Sequence, residues 1–179
     1  MNSTFLRALE PDDYLITHTW RLDEFTWDSV VGLKRFVSLE TERKWVLNAI
    51  ESHEAGKVLR FVICTNQNSD PAGLVTLSDI DLINRSAAVS YMVSPNFRGQ
   101  GLASSALRKV IEYAFSELAL VRVSCKILED NLASQALVAK MGMVKEGVLR
   151  KAVFKSGEFR NLLCFSILKD EFAIDEAGS

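Results

Sequence analysis

The chain has 179 residues, 48% of them apolar and 25% charged, with a formal net charge of −2. That length fits one globular domain, which buries roughly two-thirds of its unfolded surface without a disulfide or metal staple, and the balance of apolar and charged residues excludes a disordered chain. Lysines and arginines are scattered, so nothing resembles the basic stripe of a nucleic-acid binder, and no apolar run approaches the ~20 residues of a membrane span.

Phe5–Leu9 reads as an opening strand that Glu10-Pro11 stops, after which Asp12 or Asp13 caps a helix to about Trp20. Residues 21–37 are irregular in pattern and rich in aromatics, including Phe25, Trp27 and Phe36. A second helix spans Leu39–Glu54, where Trp45, Val46, Ala49, Ile50 and His53 form one stripe, and Gly56 ends it. Leu59–Thr65 and Ala72–Leu77 read as strands separated by the turn-rich stretch NQNSDP, and Ala87–Val93 is a third. Pro95 ends that strand, and Phe97–Leu102 forms a glycine-containing loop before the clearest helix, Leu102–Glu117, whose apolar residues keep strict helical phase. Val121–Leu128 is a buried strand, Asp130-Asn131 caps a short helix that Gly142 terminates, and Met143–Phe154 and Asn161–Leu168 close as a hairpin around Ser156-Gly157. The tail from about residue 170, DEFAIDEAGS, is acidic and expected to fray.

The resulting order, β-α-α-β-β-β-α-β-α-β-β, predicts an α/β fold: one domain over residues 1–179, a mixed sheet of about seven strands with helices on both faces. The unit at 87–128 is expected to be a right-handed parallel crossover. Cys64, Cys125 and Cys164 sit in apolar strands and read as reduced core thiols, while His18 and His53 stand alone, so no metal site is expected. The N-terminus lacks a basic segment followed by an apolar one, which predicts no signal peptide and a cytoplasmic protein, without membrane or nucleic-acid partners. A monomer and a homodimer are both compatible with the sequence.

The informative segment is Ser94 to Ala103, SPNFRGQGLA, which follows a strand and opens a strong helix. Backbone N–H groups at a helix start lack intrahelical partners and carry partial positive charge, which suits a phosphate or diphosphate. Gly99 and Gly101 let a ligand approach the backbone, and Arg98 adds a charge-assisted contact. A glycine before a helix also occurs without any ligand. A dinucleotide-binding loop wants a third glycine where Ser104 stands, and a P-loop requires Gly-Lys-Ser/Thr, which is missing.

With those residues in place, the sequence resembles the GNAT superfamily of N-acetyltransferases. Arg98-x-x-Gly101-x-Ala103 matches its pyrophosphate motif, and Asn131-x-x-Ser134-x-x-Leu137-x-x-Lys140-x-Gly142-Met143 matches its second signature. Glu146-Gly147-x-Leu149-Arg150 and the opening FLRALEPDD resemble the RimJ/RimL branch, which acetylates ribosomal-protein N-termini, and its polyamine- and sugar-acetylating relatives. The resemblance implies an acetyl-CoA-dependent acyltransferase acting on a primary amine: a protein N-terminus, a small-molecule amine, an amino sugar or a polyamine. It implies that Ser90–Val93 splays from Val123–Lys126, so that Tyr91, Met92 and Val93 offer backbone groups to the pantetheine arm in the manner of an added strand. It further implies that Arg98, Gly99, Gln100, Gly101, Leu102, Ala103 and Ser104 hold the pyrophosphate, that Asn131 contacts the arm near its thioester, and that Ser134 lies close to the sulfur. Asn131 also reads as a plain helix cap, Ser134 as an exposed first-turn residue, and Lys140 as a solvated side chain or an adenosine-phosphate contact.

A backbone N–H of Met92 or Val93 is the candidate oxyanion donor, and Ser134, or a water it orders, the candidate proton donor to the thiolate. Many relatives place a Tyr where Val138 stands, and others a Glu where Ala88 stands or near Val153. The general base is therefore open among Asp79, Asp81, Glu24 and water, and a non-catalytic acyl-CoA-binding regulatory module is the alternative reading. The resemblance also implies that the acceptor enters between residues 20–38 and 154–161, the second of which holds Lys155, Glu158, Phe159 and Arg160.

Overall fold

A computed structural model of the chain describes residues 4–66 and 69–172. β1 (Thr4–Ala8) ends before a 3₁₀ turn at Pro11–Asp13, where the Asp13 carboxylate accepts the Glu10 N–H and pairs with Arg7 at 2.7 Å. α1 (Tyr14–Trp20) follows. Residues 21–37, expected to be irregular, contain a short helix, α2 (Glu24–Ser29), begun by Asp23, whose carboxylate accepts the Thr26 N–H. α3 (Leu39–Glu54) occupies the span its apolar stripe predicts, capped by Ser38 and closed at Gly56, which has φ +65°.

β2 (Leu59–Thr65), β3 (Pro71–Asp81) and β4 (Ser86–Val93) form an antiparallel meander. β3 outruns its expected end at Leu77 because a register shift between Ser78 and Asp81, with Asp79 at φ +50°, carries pairing on to Asp81–Ser86. α4 (Leu102–Ser116) crosses to β5 (Arg122–Leu128), which pairs parallel with β4. α5 (Leu132–Lys140) precedes the hairpin of β6 (Val144–Lys155) and β7 (Glu158–Leu168). Ser156 and Gly157 both have positive φ at its turn, the geometry that matches the twist of the strands. The order is therefore β-α-α-α-β-β-β-α-β-α-β-β, and the seven strands lie β1-β2-β3-β4-β5-β7-β6.

Alternation along β2 sorts the helices. Ile63 joins the main core, which holds the α4 residues Leu107, Val110 and Ile111 at 0% exposure, while Val62 and Cys64 join a smaller core with Val46 and Ala49 of α3. Helices therefore cover both faces. Each fully buried aliphatic side chain of α4 contributes roughly 1.5–3 kcal/mol. Phe172 also belongs to the core, edge-on to Phe115 at 5.6 Å; residues 173–179 of the acidic tail lie outside the described residues. Cys64 and Cys125 are buried free thiols, whereas Cys164 is only half-buried. No helix among the described residues is long and apolar enough to cross a membrane.

Candidate functional site

β4 and β5 pair only from Ser86–Arg122 to Ala88–Ser124. Beyond that point β4 keeps its partner β3 through Val93, and β5 keeps β7 through Leu128, so the two strands part. The opening begins at Val89 and Cys125, later on β5 than the Val123 expected, because the parallel ladder still holds Val123 and Ser124. Gly73 supports this edge from below: a Cβ there would stand 2.2 Å from the Met92 carbonyl oxygen, so only glycine lets β3 pass so close.

A cavity of about 400 Å³ opens at the fork. Tyr91, Met92 and Val93 line it from β4, Asn131 from the cap of α5 and Ser134 from its first turn. The loop and first turn of α4 supply Arg98, Gly99, Gly101, Leu102, Ala103 and Ser104. Gly101 starts α4 at φ +80° and offers no capping side chain. The Ser105 N–H is the first to bond back into the helix, to Gly101 O, and among the described residues the N–H groups of Leu102, Ala103 and Ser104 have no partner. Unpaired donors at the positive end of a helix dipole are an anion site. Gly99 has φ +74°, and a Cβ on either glycine would meet no protein atom within 4 Å.

α2 forms the cavity's other wall through Phe25, Thr26 and Ser29. The Arg98 guanidinium, expected to reach a diphosphate directly, is instead committed to this wall. It pairs with Asp23, donates to the Thr26 hydroxyl at 2.7 Å, and stacks on Phe25 at 4.5 Å. Burial pushes the Asp23 carboxyl up, but hydrogen bonds from Arg98 and from the Thr26 hydroxyl and N–H hold it below its ordinary value. Gln100 is exposed and lines neither this cavity nor the next; its amide donates to Asn96 O at 3.2 Å.

A second cavity, about 360 Å³, lies across the fork. The two share Ser29, Val30, Tyr91, Met92, Asn131 and Ser134, which form a neck between them. Asn131 caps α5 by accepting the Ser134 N–H at 3.0 Å and donates its amide to Ser29 O at 3.0 Å, so the helix cap also ties α2 to the neck. The Tyr91 hydroxyl is buried with no partner in hydrogen-bond geometry. Burial raises the pKa of this phenol above its ordinary value, and the nearby Ser134 side chain opposes that only in part. From sequence, Tyr91 was assigned a backbone role alone; a tyrosine on a strand gives no sign that its hydroxyl ends unpaired.

Other expected groups lie elsewhere. Glu24 is exposed and pairs with Lys34, and Asp81 caps a turn by accepting the Ile83 and Asn84 N–H groups. Asp79 lines an adjoining depression rather than either cavity. Val138, at the place of a common tyrosine, is buried in the main core. Glu158, Phe159 and Arg160 line a separate depression with Glu129 and Asp130, so the final hairpin does not wall the second cavity as expected. Lys155 does reach it indirectly: its buried ammonium donates to Val30 O at 2.8 Å and Gly32 O at 3.1 Å and fixes that segment. Burial lowers the pKa of this lysine. Cys125 borders the second cavity, but burial, and to a lesser degree Cys164, pushes its thiol up to about 12, which removes it as a nucleophile. No group of three metal-ligating side chains occurs among the described residues.

Comparison with known proteins agrees with this geometry. The SPbeta prophage-derived uncharacterized N-acetyltransferase YokL of Bacillus subtilis (strain 168) is 29% identical over 170 residues, 95% of this chain and 92% of that protein. The solved structure of spermidine N-acetyltransferase from Vibrio cholerae in complex with CoA and spermine superposes with a TM-score of 0.85 at 25% identity, covering 94% of this chain and 97% of that one. RimL, the ribosomal L7/L12 alpha-N-protein acetyltransferase, solved with coenzyme A, shares the fold with a TM-score of 0.86 at 24% identity, covering 96% and 97% of the two chains. The acetyltransferase (GNAT) domain family matches residues 4–144, and with the forked sheet, the uncapped α4 and these relatives, the chain belongs to the GNAT family of N-acetyltransferases.

Proposed function

We propose that the protein binds acetyl-CoA in the 400 Å³ cavity and transfers its acetyl group to a primary amine entering through the 360 Å³ cavity. The observation that carries this reading is the neck, where Tyr91, Met92, Asn131 and Ser134 border both spaces. The unpaired N–H groups of Leu102–Ser104 beside two positive-φ glycines suit the diphosphate. The edge of β4 that β5 leaves free at Tyr91–Val93 suits an amide-bearing arm.

Bound acetyl-CoA supplies an activated thioester carbonyl. The chain's own groups do the rest. A backbone N–H of Met92 or Val93 steadies negative charge on the carbonyl oxygen. The Ser134 hydroxyl, with the Tyr91 phenol beside it, gives a proton to the departing sulfur, and burial keeps that phenol protonated. Alignment of two substrates through one neck supplies much of the acceleration. No carboxylate lines either cavity among the described residues, so the amine arrives neutral and the proton it loses passes through water to restore the Ser134 hydroxyl.

A protein N-terminus, or the amino group of a small metabolite or amino sugar, ranks first as acceptor, and a polyamine second. Use of acetyl-CoA supports a cytoplasmic reaction. Thiol release measured across N-terminal peptides, polyamines, aminoglycosides and amino sugars tests the reading. Release with any of them supports a transferase, and tight acetyl-CoA binding without release would make the protein an acyl-CoA-binding regulatory module.

A further inference from the structure

We infer that the acceptor is a primary amine that also carries a carboxylate, and that Arg60 and Lys126 bind that carboxylate. The inference rests on assigning the second cavity to the acceptor. Across the three-strand meander, Arg60 on β2 pairs with Thr76 on β3, and Thr76 with Ser90 on β4, so these three side chains form a polar row on one face of the sheet. All three line the second cavity, and Lys126 lines it from β5 across the fork. Arg60 and Lys126 are its two charged lining groups, and no Asp or Glu accompanies them among the described residues.

Arg60 is the decisive residue. Its guanidinium lies 5.4 Å from the centre of Trp45, a ring that also receives Arg21 at 4.9 Å. The two arginines differ in what neutralises them. Arg21 pairs with Glu42, which is 1% exposed, whereas half-buried Arg60 has no carboxylate partner among the described residues. Burial alone acts on it and lowers its pKa, which is the sign of a cation short of compensating charge. A guanidinium held over an indole and left without a carboxylate partner is preorganised for a planar, bidentate anion such as a carboxylate. Lys126 is likewise unpaired among the described residues and faces the same space from the opposite strand. Asp79, in the adjoining depression, shares its surroundings with Arg122 as well as Lys126, and so leaves the region's charge positive.

A cationic cavity without carboxylates repels a polyamine and attracts an amine whose other end is negative. Arg60 lies two strands from β4, whose Tyr91 and Met92 border the neck, roughly 10 Å at the ~4.8 Å spacing of neighbouring strands and within reach of its long side chain. A volume of about 360 Å³ admits a compact molecule or the first residues of a peptide. The same carboxylate can come from a free amino acid or from an acidic side chain near a peptide N-terminus.

The test measures kcat/KM by thiol release for matched pairs: leucine against leucinamide, the amidated peptide Ala-Glu-Ala against Ala-Gln-Ala, and spermidine alongside. Acetyl-CoA affinity is titrated separately on the same protein. We expect at least one acid to exceed its amide by roughly tenfold or more, and the pair that does so identifies the source. Arg60→Gln and Lys126→Met should each lower kcat/KM for that acid by roughly 10- to 100-fold, mainly through KM, and bring the acid-to-amide ratio toward one. Acids no better than their amides, no turnover of any acid, spermidine as the best acceptor, or an acid preference that survives both substitutions would each overturn the inference. Failure of the wild-type protein to bind acetyl-CoA would instead overturn the proposed function on which it rests.

Discussion

Replacing Gly101 by valine probes the diphosphate loop with two readouts that the structure separates. Gly101 begins α4 at φ +80°, ψ 1°, where a residue bearing a Cβ costs roughly 1–2 kcal/mol. In a domain of this size each kcal/mol moves Tm by roughly 2–4 °C, so Gly101→Val should lower Tm by about 2–8 °C. The Cβ itself meets no protein atom within 4 Å, so the added methyl groups occupy open space at the cavity wall. That is the space a diphosphate needs to reach the Leu102–Ser104 N–H groups, and acetyl-CoA affinity should fall by at least about tenfold, or 1.4 kcal/mol. Gly56→Val is the control: Gly56 shares the left-handed backbone, φ +65°, and the open surroundings, but lines neither cavity. It should lose similar stability while keeping its acetyl-CoA affinity. Thermal melts and isothermal titration of the two variants measure both quantities. An unchanged affinity in Gly101→Val would remove the loop from the site, and an equal loss in Gly56→Val would show that general destabilisation caused it.

Ser134→Ala should lower kcat by roughly 10- to 10⁴-fold with acetyl-CoA affinity little changed, and Tyr91→Phe should act in the same direction; lost affinity at normal kcat would make Ser134 a binding group instead. Gly73→Ala places a Cβ 2.2 Å from Met92 O, so the β3–β4 pair must shift beneath the neck. It should cost roughly 1–3 kcal/mol in a denaturant titration, and a neutral outcome would refute the close approach. Arg122, at 2.7 Å, and then the Ser166 hydroxyl hold the Glu146 carboxyl at about 2, below its ordinary 4.5. A carboxyl with a lowered folded value adds stability above the unfolded value, and that contribution is lost as pH falls from 4.5 toward 2. Because the pair is exposed and screened, the effect is small, and Glu146→Gln should flatten this acid limb of the Tm-against-pH curve.

Elements set by local periodicity and caps were legible in the sequence. The stripe of α3, the strict phase of α4, the Asn131 cap and the Ser156-Gly157 turn depend on residues within a few positions of one another, and the structure places them within one or two residues of expectation. The glycine loop that opens α4 was legible for the same reason, since a strand, two glycines and an uncapped helix are contiguous in the chain. α2 was not, because six residues are too few to show a period and Asp23 was its one local signal. Tertiary structure alone turned the Arg98 side chain away from the loop and onto Asp23, 75 residues earlier, since nothing in RxxGxA encodes which carboxylate the fold will bring near. It likewise left the Tyr91 hydroxyl unpaired at the neck and withdrew the last hairpin from the second cavity. It also assembled that space from Trp45, Arg60, Thr76, Ser90 and Lys126, which come from five different elements. A groove's charge is the sum over side chains that only strand pairing makes neighbours, and pairing between distant strands leaves no local trace in the sequence.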